Sequence, residues 1–181
     1  MKTIIATLFL FLFSYTVFGQ LNELPKKDIP DDYGYVVKIG QQIPEIEFEL
    51  TNGKTVTTSD LKGKVVMLQF TASWCSVCRQ EMPHRESDIW QKHKNNPEFV
   101  LYGLDLDEPK ATVEKFATDM KITYPLALDP EGGIFYTFAE EGAGVTRNVI
   151  IDKTGKIVYM TRLYNEEEFR EMVDLIDFLL K

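Results

Sequence analysis

The run Val65-Val66-Met67-Leu68-Gln69-Phe70, followed almost at once by Trp74-Cys75-Ser76-Val77-Cys78, constrains this chain more than anything else in it. A nearly continuous apolar run suits a strand buried on both faces, which requires layers of structure above and below it. A helix is expected to begin at the cysteines, so the pair falls where a buried strand hands over to a helix. At a helix start the first sulfur lies beside backbone N–H groups without intrahelical partners and beside the positive end of the helix dipole, and both favour thiolate over thiol. Cys75 is then the nucleophile. Cys78, one turn on, can attack a mixed disulfide at Cys75, so the pair can cycle between dithiol and disulfide. A zinc site is the competing reading, but it needs two further ligands, and the only histidines are His84 and His93, both expected on the same helix. A purely structural disulfide would close a very short loop and constrain the unfolded chain little.

Strand and helix patterns alternate along the rest of the chain. Residues 46–50 alternate apolar and acidic side chains, Asn52-Gly53 offers the positive φ angles of a tight turn, and residues 54–57 can return, so a hairpin opens the domain. Residues 99–106 read as the next strand, with Pro109 in the first turn of a helix that carries Val113, Phe116, Ala117 and Met120 at helical spacing. A short strand at 124–128, a short helix at 132–138 and a hairpin pairing 145–151 with 157–161 follow. The last helix has Asn165 and Glu168 as a capping pair and buries Phe169, Met172, Val173, Ile176 and Leu180. This order is that of an α/β layer fold with helices on both faces.

Lys2 precedes an uncharged, mostly apolar stretch at 4–18, and Gly19 is a small residue suited to cleavage before Gln20, so residues 1–19 read as a cleaved signal peptide. A retained membrane anchor is the other reading, but a stretch of about fifteen residues falls short of the ~20 needed to span a bilayer. Export places the cysteines in an oxidising compartment, where a pair is either a disulfide or a redox device. Residues 20–35, rich in Pro, Asp and Lys, read as a flexible leader, and 36–181 as one domain. The formal charge of −8, with no basic run longer than Lys26-Lys27, argues against nucleic acid as a partner. Neither a cofactor nor a metal is expected.

Leu61-Lys62-Gly63-Lys64, the apolar strand, the run from Ala72 to Pro83, Tyr124-Pro125 with Leu128-Asp129, and residues 149–152 before Gly155 together resemble the thioredoxin-like thiol-disulfide reductases of the TlpA/ResA type. The resemblance spans residues 39–181, and its W-C-x-x-C-R-x-E-x-P run is far more specific than CxxC alone. It implies a thioredoxin fold: a central mixed β-sheet flanked by helices on both faces, with an N-terminal β-hairpin and a βα insert. It further implies disulfide reduction in the periplasm, sometimes in cytochrome c maturation, with disulfide-bearing protein substrates and a membrane-linked electron donor.

The same resemblance places Glu81 near the active site in a proton-handling role, although a solvated helix carboxylate is the usual fate of Glu. Gln69 stands where cytoplasmic thioredoxins carry a buried aspartate, and it cannot titrate. Pro83 is expected to kink the helix, Trp74 to shield the disulfide and offer substrates a flat apolar contact, and Arg79 to point into water. Thr146, preceded by Val145, occupies the position of a cis-proline opposite the cysteines. A cis bond before a non-proline residue costs ~2.5–4 kcal/mol, so a trans bond is expected in this substrate-docking loop. Arg147 beside it reads either as a selector of acidic partners or as a surface residue at a strand start. Two other functions compete. Peroxiredoxins carry Thr or Ser three residues before the reactive cysteine and Pro seven before, where this chain has Ala72 and Leu68. In a thioredoxin-fold binding module the disulfide would be incidental.

Overall fold

A computed structural model describes residues 29–181, so the expected signal peptide and residues 20–28 of the expected leader lie outside the described residues. The domain opens with the antiparallel hairpin β1 (Glu47–Leu50) and β2 (Thr55–Thr57), turned at Gly53 with φ +84°, a conformation glycine adopts without strain. The central strand β3 (Val65–Thr71) is buried along its whole length. It is followed by α1 (Ser76–His84), β4 (Phe99–Leu106), α3 (Lys110–Met120) and β5 (Leu126–Asp129), with a three-residue α2 (Gln91–His93) ending the α1 helix. A one-turn α4 (Phe135–Phe138), the hairpin β6 (Arg147–Ile151) and β7 (Ile157–Arg162), and α5 (Glu166–Leu179) complete the chain.

The seven strands form one mixed sheet in the order β2-β1-β5-β4-β3-β6-β7. β3 pairs with β4 in parallel and with β6 antiparallel, so the strand that feeds the cysteines is central and has no free edge. Its side chains alternate between two cores. Val66, Leu68 and Phe70 join the hairpin residues Phe48 and Val56 and the α4 residues Phe135 and Phe138. Val65 and Met67 join Met82 of α1, Phe116 of α3 and Met172 of α5. Helices therefore cover both faces, but unequally: three long ones on one side, and a single turn plus the N-terminal segment on the other.

Several boundaries shift for physical reasons. β6 starts at Arg147, opposite Phe70; residues 145–146 leave the β3 ladder and loop over the cysteines, with the Thr146 carbonyl taken by the Leu163 N–H of the β7 end. Pro109 is the extended N-cap of α3 rather than part of its first turn. Pro83 lies inside α1, which passes into a wider, π-type winding at Arg85–Trp90, where the Gln91 N–H reaches back to Glu86. In α5 the side chain of Asn165 accepts the N–H groups of Glu167 and Glu168, and Leu175 is buried in the stripe while Val173 and Leu180 are half-buried. Of the expected leader, the described part is held against the domain: Tyr35 forms a bridge with Ala139, and its hydroxyl donates to the Thr161 carbonyl at 2.6 Å. Among the described residues no helix is long and apolar enough to cross a membrane.

Candidate active site

Cys75 is the N-cap of α1, in extended backbone conformation, and its sulfur accepts the Cys78 N–H at 3.2 Å. The two cysteines are joined as a disulfide. Cys75 is 8% exposed and Cys78 fully buried. Trp74, immediately before, is 66% exposed. Across from the pair the 145–146 loop brings Val145 and Thr146, both buried, against the site, with Thr146 Oγ1 3.1 Å from Cys75 Sγ and 3.3 Å from Cys78 Sγ. Among the described residues no peptide bond is cis, so the Val145-Thr146 bond is trans.

Glu81, one turn beyond Cys78, is a buried side chain and not a solvated carboxylate. It forms an ion pair with the fully buried Arg85, and its Oε1 accepts the Asn148 amide at 2.7 Å. Asn148 also donates to Thr161 Oγ1 at 2.8 Å and lies opposite Gln69 in the β3–β6 register. The Gln69 amide is buried with no hydrogen-bond partner among the described residues. Behind Arg85, burial pushes the Tyr124 hydroxyl up to about 12, with the guanidinium opposing the shift.

A second acidic group lies on the other side of the cysteine loop and was not anticipated. Glu108 accepts both the backbone N–H and the hydroxyl of Ser73 at 2.5 Å, fixing the residue that precedes Trp74. Asp105, the register partner of Thr71 on β4, is fully buried, and neither of its oxygens meets a hydrogen-bond partner among the described residues. Burial, then the charges of Glu108 and Asp129, push its carboxyl up to about 8. The signal available in the sequence was an acid near the end of the otherwise apolar run at 99–106.

Two arginines depart from expectation. Arg147 is neither a partner selector nor a surface residue. It is buried, its Nε donates to the Gly144 carbonyl at 2.9 Å, and its guanidinium lies 4.5 Å from the centroid of the Tyr35 ring. β6 is buried along its whole length, and a planar cation is accommodated there by stacking on an aromatic face. Arg79 does not extend into water: its Nε donates to the Ser73 carbonyl at 2.8 Å, and its guanidinium lies 4.9 Å from the Phe116 ring centroid. His84 stacks on Tyr164 and His93 pairs with Asp177. Among the described residues no group of three or more His, Cys, Asp or Glu side chains could hold a metal ion.

Comparison with known proteins agrees with this geometry. The family model described as Redoxin matches residues 38–176. The thiol-disulfide oxidoreductase ResA of Bacillus thuringiensis (strain Al Hakam) is 32% identical over 123 residues, covering 67% of this chain and 68% of that protein. A Bacteroides thetaiotaomicron protein, provisionally named a protein disulfide isomerase, has a solution structure that is 58% identical with a TM-score of 0.79, covering 81% of this chain and 92% of that one. A Chlorobium tepidum protein provisionally named as the thiol:disulfide interchange protein DsbE is 26% identical with a TM-score of 0.68, covering 80% and 99%. The chain therefore belongs to the Redoxin family, among its thiol-disulfide oxidoreductases of thioredoxin fold.

Proposed function

We propose that this protein is an exported reductase of protein disulfides in which Cys75 is the attacking thiolate and Cys78 the resolving thiol. The observation that carries the reading is the unequal placement of the two sulfurs: Cys75 caps the helix, receives the Cys78 N–H and keeps some exposure, whereas Cys78 has none. A sulfur that receives a backbone N–H at the positive end of a helix is favoured as an anion, and the more exposed one is the one a bulky substrate reaches. The Cys75 thiolate attacks one sulfur of a substrate disulfide and expels the other as a thiolate, which takes up a proton. Cys78 then gives up its proton and attacks the Cys75 sulfur, releasing the second substrate sulfur as a thiolate that also takes up a proton. Two electrons thus pass from the cysteine pair to the substrate, with one proton from Cys78 and one from solvent.

Glu81, buried one turn beyond Cys78 and oriented by Arg85 and Asn148, is the relay for the Cys78 proton. Exposed Trp74, with Val145 and Thr146 of the loop that meets the cysteines, forms the docking edge for disulfide-bearing proteins. Ser76-Val77 places no histidine between the cysteines to stabilise the thiolate further, which favours the reducing direction. The signal-like residues 1–19 support a periplasmic location, and the family resemblance supports a membrane-linked electron donor.

The purified chain without residues 1–19 is expected to reduce insulin when a dithiol is supplied. Cys75→Ser is expected to abolish turnover, and Cys78→Ser to accumulate mixed disulfides with substrates on Cys75. Absence of turnover in a protein whose thiols oxidise and reduce freely would end the reductase reading.

A further inference from the structure

The loop opposite the cysteines presents them with a hydroxyl. Thr146 Oγ1 lies within hydrogen-bonding distance of both sulfurs, 3.1 Å from Cys75 and 3.3 Å from Cys78, in a residue only 2% exposed. In the disulfide neither sulfur carries a proton, so the hydroxyl is the only donor among the three groups. The backbone holds it in place. The Thr146 carbonyl accepts the Leu163 N–H at 3.0 Å, and Arg147 is locked by Gly144 and Tyr35. From Arg147 onward the chain is tied into the sheet against Phe70. A proline in this place would offer the sulfurs no hydrogen-bond donor.

We propose that Thr146 is a catalytic residue whose hydroxyl donates a hydrogen bond to the Cys75 thiolate of the reduced enzyme and accepts one from the Cys78 thiol. The proposal rests on the reading of Cys75 as nucleophile. One hydroxyl has a single donor proton and two acceptor lone pairs, so it can serve both sulfurs at once and localise the negative charge on Cys75. When a donor thiolate reduces the disulfide by attacking Cys75, a new S–S bond forms there. The electron pair of the broken Cys75–Cys78 bond goes to Cys78, and the same hydroxyl turns its proton toward that sulfur. The hydroxyl keeps its proton throughout, so the step needs no further oxidant, reductant or acid.

The test is the pH dependence of Cys75 alkylation by iodoacetamide in the fully reduced chain, read by peptide mass mapping for wild type, Thr146→Val, Thr146→Ala and Thr146→Ser. Loss of a hydrogen bond to a thiolate is expected to raise the Cys75 pKa by about one unit in the Val and Ala variants, while Ser stays within about 0.3 unit of wild type. Below both pKa values the Val variant should react only about threefold slower, because a more basic thiolate is also more nucleophilic; above both it should react about threefold faster. Crossing rate curves are not what a packing defect produces. An unchanged pKa in Thr146→Val, or a Ser variant shifted as far as Val, overturns the proposal, as does faster labelling of Cys78 than of Cys75 in wild type. Alkylation requires no turnover, so failure to reduce insulin alongside the expected pKa shift would count against the reductase reading and not against the role of the hydroxyl.

Discussion

Glu81 and Asp105 are both sealed from water, at 2% and 0% exposure, on either side of the cysteine loop, yet Glu81 has a cation and an amide against it while the charges that act on Asp105 are the carboxyls of Glu108 and Asp129. Burial alone disfavours the charged form of any carboxyl, so what separates the two is the company each keeps. On the helix side, Arg85 and Asn148 provide for a carboxylate. On the β4 side, no cation or hydrogen-bond donor among the described residues compensates, and the group holds its proton far above the usual carboxylate range.

The largest effect is expected where Glu81 loses its cation. Arg85→Met leaves a buried carboxylate with only the Asn148 amide and is expected to destabilise the fold by about 3–5 kcal/mol, measured by urea denaturation. A loss under about 1 kcal/mol would mean that Glu81 does not depend on the pair. Asp105→Asn works in the opposite direction. The unfolded chain releases this proton near the ordinary value of 3.8, whereas the folded chain keeps it until about pH 8. Between those values the folded state binds more protons, so this group's contribution to stability is fully present below the lower value and is lost as pH rises through the window. Asp105→Asn removes that slope. Its stability relative to wild type should rise by about 4 kcal/mol from pH 5 to pH 8 in thermal unfolding, and a flat difference would show that Asp105 ionises normally.

Ser73→Ala removes one of the two hydrogen bonds that Glu108 accepts from the cysteine loop and should cost about 1 kcal/mol. The smallest stability effect belongs to the exposed end of the same loop. Trp74→Ala should change stability by less than about 0.5 kcal/mol while slowing insulin reduction, separating the loop's docking surface from its buried supports. A large loss of stability there would show Trp74 to be structural.

Contacts made at short range were legible in the residues. The hairpin turn at Asn52-Gly53, the Asn165 cap and the buried strand feeding a helix that opens at Cys75 all follow from neighbours within a few positions, where periodicity and backbone preference act. The cysteine pair and its roles as N-cap nucleophile and resolver one turn on belong to the same class, because a helix start defines both the N-cap and the turn that follows it.

What the tertiary structure alone decided is the company of the buried charged groups. Ser73 meets Glu108 from 35 residues away, Glu81 meets Asn148 from 67, and Tyr35 reaches Thr161 from 126. Arg79 and Arg147 each turned inward to a carbonyl and a ring rather than outward. A long polar side chain has no intrinsic preference strong enough to override either water or a good partner, so its direction is settled only when strands and helices bring a partner within reach. The trans loop that holds Thr146 over both sulfurs is of the same kind. The residue type announced a departure at that position, and only the pairing of β6 against β3 determined where its hydroxyl would lie.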